Sequence, residues 1–283
     1  MHTRLDCLPC FMRQALNGAR LTSPNDLQTQ KKILSAVAQS IARMDTRLSP
    51  PHLAGQIYAQ ITEISGTDDP FADYKKKSNS EVMALLPEIR SRILREEDRL
   101  FFALRMSIIG NYMDAGVARD FDWQSALKYE KDARWAELHY PDFKNKLRKE
   151  NKILIIGDNA GEIALDTLLV RELVELGNDV TYAVRALPIL NDATVEDARD
   201  VGMTDICEVI SSGSDCPGSV TSRCTDEFLK KMHEADLVIS KGQGNFEALS
   251  EEKNGIYFAF KVKCEVVAEL VGLPIGSSIF RFV

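Results

Sequence analysis

The sequence lacks the long apolar run that a membrane-spanning helix requires. No stretch of the 283 residues approaches the ~18 apolar residues of such a helix. The N-terminal segment MHTRLDCLPCFMRQ also has no apolar core of the kind that secretory signals carry. Six cysteines without such a signal indicate reduced thiols. We therefore expect a cytoplasmic protein with no membrane partner.

An excess of positive charge is also missing. The 42 acidic and 35 basic residues give a formal net charge of −7, which argues against nucleic acid as the main partner. A local cationic site can still bind a small anion. The four histidines show no metal-ligand spacing. Nothing in the composition indicates an obligate protein partner.

The character of the chain changes near residue 150. Residues 1–148 are predicted to be helical almost throughout, because apolar residues recur with a period close to 3.6, and a break or bend is expected at Pro87 and near Asp98. In residues 149–283, helical runs separate most of the strand-like runs KILII, DVTYAV, ICEVI, DLVIS, IYFAF and SIFRF. This alternation predicts an α/β fold with a mainly parallel, Rossmann-like sheet, on which the helical region packs.

Polar side chains follow several of the predicted strands. Because ligands of open α/β sheets bind beyond the carboxyl ends of the strands, these residues are candidates for a site. Carboxylate and amide oxygens suit a hard divalent cation, lysines suit phosphate oxygens, and helix starts after two glycines would offer N–H groups to an anion. The strand-end residues are Asp158, Asn159, Gly161, Glu162, Arg185, Asn191, Asp192, Lys241, Gly242, Asn245, Lys261 and Lys263.

Several of these residues have simpler interpretations. Asp158 or Asn159 could be the N-cap of the following helix, and Asp192 could cap the next one. Glu162 and Asp166 lie at i and i+4 on one helix face, so each could support the site indirectly or only pack. The Cys-Leu-Pro-Cys segment that begins at residue 7 could hold an accessory metal, act in redox chemistry or simply pack, since no second Cys or His pair completes a zinc site.

Taken together, the motifs GDNAGEIALD, PILNDATVEDA, SKGQGNFEAL and FKVKC resemble the damage-control metallophosphatases, a family long known as a domain of unknown function. CLPCFMRQAL, DPFADYKKKSN and SIIGNYMDAG resemble its CxxC-bearing archaeal and bacterial branch. The resemblance implies that the metal is bound by Asp158, Asn159 and Asp192, that phosphate is bound by Lys241 or Lys263, and that Asn111 and Asp114 reach the same cleft. From their positions at strand ends and helix starts, further contacts with phosphate or substrate are predicted for Gly161, Glu162, Gly242 and Asn245.

The resulting hypothesis is a phosphatase that hydrolyses phosphomonoesters of small metabolites, such as sugar phosphates, with Mn²⁺, Co²⁺, Ni²⁺ or Mg²⁺. Asp158, Lys241 and Lys263 would be its catalytic residues, and whether water or Asp158 attacks is left open. The alternatives are an S-adenosylmethionine- or nucleotide-binding transferase, a function once suggested for the same family, and a non-enzymatic binding protein. The first turn, GDNAG, lacks the G-x-G-x-x-G spacing of dinucleotide sites, which disfavours the transferase.

Overall fold

The computed structural model describes residues 1–110, 124, 135–253 and 255–283. Asn111 and Asp114 lie outside these residues. The N-terminal region forms the helices α1 (Cys7–Thr22), α2 (Leu27–Ile41), α3 (Pro50–Ser65), α4 (Ala72–Ile93) and α5 (Arg99–Ile109).

The boundaries of these helices follow from local sequence signals. The side chain of Asp98 caps α5 by accepting a hydrogen bond from the N–H of Phe101, so the predicted break near Asp98 is confirmed. The predicted break at Pro87 is not found, because α4 runs through this position as one helix of 22 residues, and the alternative of a bend stays a prediction. Pro87 is exposed, so water can reach this side of the helix and hydrate the carbonyl group that the proline leaves without an N–H partner.

The rest of the chain forms one seven-stranded sheet in the order β1-β7-β6-β5-β2-β3-β4. Neighbouring strands are parallel except for the antiparallel pair β6 and β7. The predicted α/β class with a mainly parallel sheet is therefore confirmed. The strands are β1 (Trp135–Leu138), β2 (Lys152–Ile156), β3 (Asp179–Val184), β4 (Glu208–Ser211), β5 (Leu237–Lys241), β6 (Tyr257–Lys261) and β7 (Ser278–Phe282).

Strand β1 was not predicted. It lies before residue 149, in the region predicted to be helical, and joins the sheet beside β7. A strand of four residues is too short to establish a period of its own. Helices connect most of the other strands: α6 (Tyr140–Lys146), α7 (Glu162–Glu175), α8 (Val195–Asp200), α9 (Asp226–Glu234), α10 (Gln243–Leu249) and α11 (Glu265–Val271). Two 3₁₀ turns, Met203–Asp205 and Thr221–Arg223, complete the described elements.

Apolar cores lie on both faces of the sheet. On one face, α4, α5 and α7 pack over the strands, so that Ile89, Leu104, Leu165 and Ile155 belong to a single buried cluster. A second cluster covers the opposite face, and a third holds α1, α2 and α3 together. Helix α3 also contacts α10, so the helical region packs on the sheet domain as expected. None of the helices within the described residues is long and apolar enough to cross a bilayer.

Candidate active site

The predicted metal ligands meet at the carboxyl edge of the sheet. Asp158 and Asn159 follow β2, while Asp192 lies in the loop after β3. An isolated antiparallel bridge pairs Asn159 with Asp192. The N–H of Ala193 donates to the carbonyl oxygen of Asp158 at 2.8 Å, and that of Ala160 donates to the carbonyl of the residue preceding Asp192, also at 2.8 Å. Backbone pairing therefore brings the three residues together.

None of these three side chains caps a helix. Gly161 is the N-cap of α7, where no side-chain cap is found. Helix α8 begins after Thr194, whose hydroxyl and backbone form a capping box with Asp197. The capping interpretations of Asp158, Asn159 and Asp192 are therefore wrong.

The donor atoms suit a divalent cation. Two carboxylates and one amide oxygen form a hard oxygen set of the kind that Mg²⁺ and Mn²⁺ accept. All three side chains are at least nine-tenths buried, so few water molecules compete for their oxygens. Among the residues that the structure describes, no group of three His, Cys, Asp or Glu side chains is arranged to hold a metal. The predicted set therefore depends on the amide of Asn159 as the third ligand.

Arg185 connects two of the predicted ligands. It follows β3 directly and is 1% exposed. Its Nε donates to Asp192 Oδ2 at 2.7 Å, and its Nη2 lies 3.8 Å from Asp158 Oδ1. Its Nη1 donates to Ser219 Oγ at 3.0 Å. A guanidinium group held this way orients the Asp192 carboxylate and offsets the charge of both acids.

No role for Arg185 was predicted from the sequence. Its position directly after a buried strand was visible, but the partner residues are contributed by distant segments. Ser219 is 34 positions away, and the next partner, Asn245, is 60 positions away. The available signal was therefore only that a charged residue ended a buried strand.

Asn245 uses its whole hydrogen-bonding capacity within the protein. Its Nδ2 donates to the carbonyl oxygens of Gly157 at 3.0 Å and Lys241 at 2.7 Å. Its Oδ1 accepts from Ser219 N at 2.8 Å and Arg185 Nη2 at 3.2 Å. Since an amide has two N–H donors and one oxygen, this geometry favours a role in joining β2, β5 and the Ser219 loop over the predicted contact with phosphate.

Lys241 is fully buried in an ionic network. Its Nζ lies 2.7 Å from Asp166 Oδ1 and donates to the carbonyl oxygen of Ser107 at 3.0 Å. Asp166 also accepts from the hydroxyls of Ser107 at 2.5 Å and Tyr182 at 2.7 Å. Burial lowers the pKa of Lys241, but the carboxylates of Asp166 and Glu162 outweigh this effect and raise it. The ammonium is therefore committed to α5 and α7, which favours a structural role over phosphate binding.

Glu162 lies between Lys241 and the predicted metal ligands. Its Oε2 is 3.6 Å from Lys241 Nζ, and its Oε1 accepts from Asn159 Nδ2 at 2.9 Å. Burial raises the pKa of Glu162, and Asp158 contributes to the increase, while Lys241 and Lys263 oppose it. The effect of Lys263 indicates that its charge acts on the interior of the site.

The two glycines at the helix starts have their N–H groups occupied. Gly161 N donates to Asn79 Oδ1 at 2.6 Å, and Gly242 N donates to the carbonyl oxygen of Ala259 at 3.0 Å. A Cβ at Gly242 would lie 2.0 Å from Asp158 Oδ2. The absence of a side chain at Gly242 therefore makes space for the Asp158 carboxylate, a different role from the predicted phosphate contact.

Lys263 differs from Lys241 in its surroundings. Strand β6 ends at Lys261, so Lys263 lies in the loop that leads to α11 and is exposed. Its backbone N–H donates to Gln243 Oε1 at 2.7 Å, which ties this loop to the start of α10. The predicted phosphate role of Lys263 is compatible with this position at the edge of the site.

The Cys-x-x-Cys pair begins helix α1 rather than preceding it. Cys7 is the first residue of α1, and Cys10 is exposed within its first turn. All six cysteines lie in the described part of the chain and are free thiols. Burial raises the pKa of Cys7 and of Cys264, so neither thiol has the lowered pKa of a redox-active cysteine.

Comparisons with known proteins identify the family of this chain. The model of the damage-control phosphatase ARMT1-like domain matches residues 3–279. The chain belongs to the damage-control phosphatase family. A family member from Pyrococcus horikoshii, named a damage-control phosphatase, is 33% identical over 98% of this chain and 96% of its own length. Another, from Archaeoglobus fulgidus, carries the same name and is 32% identical over 98% of both chains.

The fold of this family member is also similar to a solved one. The crystal structure of the Pyrococcus horikoshii protein, described as a DUF89 family protein, superimposes with a TM-score of 0.89 and 30% identity. The match covers 99% of this chain and 98% of that one. The resemblance inferred from the sequence motifs is confirmed by these matches.

Proposed function

We propose that this chain is a divalent-metal-dependent phosphatase that hydrolyses phosphomonoesters of small metabolites, with sugar phosphates as the first class to test. Membership in the damage-control phosphatase family supports the phosphatase activity. The observation that carries the metal dependence is the convergence of two carboxylates and one amide at the ends of β2 and β3. The choice among Mn²⁺, Co²⁺, Ni²⁺ and Mg²⁺ is left to experiment because such oxygen sets accept several of them.

Asp158, Asn159 and Asp192 would hold the cation through their side-chain oxygens. When bound there, a divalent ion supplies Lewis acidity toward a phosphoryl oxygen and lowers the pKa of a bound water. Arg185 keeps the Asp192 carboxylate directed into the site through the 2.7 Å contact. Asp158 fits against Gly242, where the chain offers no side chain.

Lys263 would meet the phosphoryl oxygens from the exposed side. A cation at this position neutralises the charge of the transferring group, and the contact strengthens as the transition state forms. The amide Nδ2 of Asn191 is a second candidate, because it is buried and finds no partner among the residues that the structure describes. A phosphoryl oxygen would satisfy this donor.

Tyr58 would be a contribution of the helical region to the same site. It lies on α3, and Asp192 adds to the increase in its pKa that burial causes, so the two side chains are within electrostatic reach. Helix α3 also packs on α10, which follows β5. Residues of this helix are suited to contact the non-phosphate part of a substrate.

A phosphatase screen with metal-stripped protein tests the proposal. Sugar phosphates and nucleotides would each be assayed without metal and with each of the four cations. We expect release of inorganic phosphate from at least one sugar phosphate only when a divalent cation is present. Hydrolysis that persists in the presence of a strong chelator would contradict the metal dependence.

A matched variant separates the proposed site from contaminating phosphatases. Asp192→Ala removes a proposed ligand, while Asp179→Ala removes an exposed carboxylate at the opposite end of β3. Activity should disappear in the first variant and persist in the second. Binding of S-adenosylmethionine, measured by calorimetry on the same preparations, tests the transferase alternative, and no binding is expected.

A further inference from the structure

The side-chain amide of Asn159 is held by its nitrogen end. Nδ2 donates to Asp158 Oδ2 at 3.0 Å and to Glu162 Oε1 at 2.9 Å. Both acceptors are carboxylate oxygens, which an amide can face only with its N–H₂ group. The chemistry of the neighbours therefore fixes which end of this amide is which. Of the residues that the structure describes, none donates a hydrogen bond to Asn159 Oδ1.

The partner that holds this amide is itself held. Glu162 is 1% exposed at the first position of α7. Its second oxygen lies 3.6 Å from Lys241 Nζ, and that ammonium pairs with Asp166 at 2.7 Å. A chain of contacts thus links the first two turns of α7 to the end of β5, and it runs through Asp166, Lys241, Glu162 and Asn159. A carboxylate fixed at both oxygens presents its Oε1 to Asn159 in one orientation.

We propose that Glu162 is a positioning residue that holds the nitrogen end of the Asn159 amide, so that Oδ1 is presented to a divalent cation. This inference rests on the metal site of the proposed function. It gives Glu162 a role different from the predicted contact with phosphate, which a buried carboxylate would repel. Without Glu162, the amide keeps only the contact of Nδ2 with Asp158 Oδ2, so it rotates more freely, and an amide turned with its nitrogen toward the cation cannot act as a ligand.

Removal of the negative charge alone also weakens cation binding, so a single variant does not isolate the positioning effect. A double-mutant cycle does, because positioning acts only through Asn159, whereas the electric field of Glu162 acts with or without it. The four proteins are the wild type, Glu162→Gln, Asn159→Ala and the double variant. In Glu162→Gln, one side-chain oxygen must serve both the Lys241 ammonium and the Asn159 amide, which are both donors.

The measurement is the dissociation constant of Mn²⁺ alone, by calorimetry on the full chain without substrate. We expect Glu162→Gln to weaken Mn²⁺ binding by about 10-fold in the wild type, the lower end of the range for residues that orient metal ligands. In the Asn159→Ala background, where two carboxylates still bind the ion weakly, the same change should weaken it by less than about 3-fold. Equal effects in the two backgrounds, or no effect in the wild type, would overturn the proposal.

Glu162→Asp provides a second route if Glu162→Gln does not fold. It keeps the negative charge beside Lys241 but shortens the side chain, so it removes the reach to Asn159. Glu162→Asp should lower the Mn²⁺ affinity of the wild type by the same factor and should change that of Asn159→Ala only slightly. Thermal midpoints of the metal-free proteins are the folding control. Absence of Mn²⁺ binding by the wild type would reject the proposed metal site together with this inference, whereas normal wild-type binding without coupling rejects only the role of Glu162.

Discussion

The carboxyl edge of the sheet has a buried side and an exposed side. At the ends of β2, β3 and β5, the charged groups of Asp158, Arg185 and Lys241 are buried, and each has an oppositely charged neighbour. Beyond β6, Lys263 lies on a loop that is tied to α10 through the Gln243 side chain, and its own side chain is exposed. Two lysines at the carboxyl ends of adjacent strands therefore have opposite environments.

This difference separates two requirements of a phosphatase site. Ligands of a cation are most effective when their geometry is fixed before the ion arrives, and the buried ionic contacts fix it. A group that meets the substrate must be reachable from water, which Lys263 is and Lys241 is not. Variants on the two sides should therefore fail in different ways.

The largest effect is expected from Asp158→Ala. The change removes a proposed cation ligand and leaves the Arg185 guanidinium without one of its two acidic neighbours. We expect kcat/KM to fall by at least about 1,000-fold, because the Lewis acid contributes several kcal/mol to the reaction. Steady-state kinetics at saturating Mn²⁺ measures the loss, with Asp179→Ala as the control. An Asp158→Ala variant with more than a tenth of the wild-type activity would remove this residue from the catalytic set.

On the buried side, Lys241→Met should lower the stability of the protein more than it affects catalysis. The substitution leaves the Asp166 carboxylate, which is 0% exposed, without its cation. We expect the free energy of unfolding to fall by about 3–5 kcal/mol, the usual result of breaking one partner of a buried pair. Urea titration followed by circular dichroism measures it.

A second substitution tests this explanation. Adding Asp166→Asn to Lys241→Met removes the unpaired charge, so part of the lost stability should return. If Lys241→Met instead retains wild-type stability but loses turnover, Lys241 would belong to the substrate site after all.

On the exposed side, Lys263→Met should lower the catalytic rate without affecting the stability of the protein. Methionine keeps most of the apolar stem while removing the charge. A charge-assisted contact that strengthens in the transition state contributes about 2–4 kcal/mol, so kcat/KM should fall by about 30- to 1,000-fold, with kcat affected more than KM. The Mn²⁺ affinity and thermal midpoint should stay near those of the wild type.

Lys253→Met is the matched control for this prediction, since Lys253 is also exposed but lies before β6, at the opposite end of the sheet. It should turn over normally. Turnover near the wild-type value in Lys263→Met would show that another donor, such as the Asn191 amide, holds the phosphate.

The same contrast explains how far the sequence could predict the site. The order of strands and helices is local information, and the apolar runs at 152–156 and 179–184 coincide with β2 and β3. The place of Asp158, Asn159 and Asp192 then follows, because ligands collect beyond strand ends. Exposure and side-chain pairing depend instead on residues far apart in the chain.

The two lysines illustrate this limit. Both follow a predicted strand, and no local pattern distinguishes a buried lysine from an exposed one at these positions. Lys241 is buried because Ser107, 134 positions earlier, and Asp166 enclose its ammonium. The role of Gly242 was hidden for a similar reason, since a Cβ there would meet the carboxylate of Asp158, which follows a different strand. Such contacts become visible only when the strands are assembled.

The smallest effect is expected at the Cys-x-x-Cys pair, which lies on neither side of the site edge. Cys7 packs between the apolar cluster of the sheet and that of helices α1 to α3, while Cys10 is exposed. Neither thiol is an oxygen ligand, and burial raises the pKa of Cys7, so thiolate chemistry is disfavoured. In the Cys7→Ser, Cys10→Ser variant, we expect kcat/KM to stay within about 3-fold of the wild type and stability to fall by about 1 kcal/mol, mainly from Cys7. The single variants assign that loss, since Cys10→Ser alone should be neutral. If the folded double variant loses as much kcat as Asp158→Ala, the thiols take part in phosphoryl transfer. The description of a buried and an exposed side would then omit two catalytic groups.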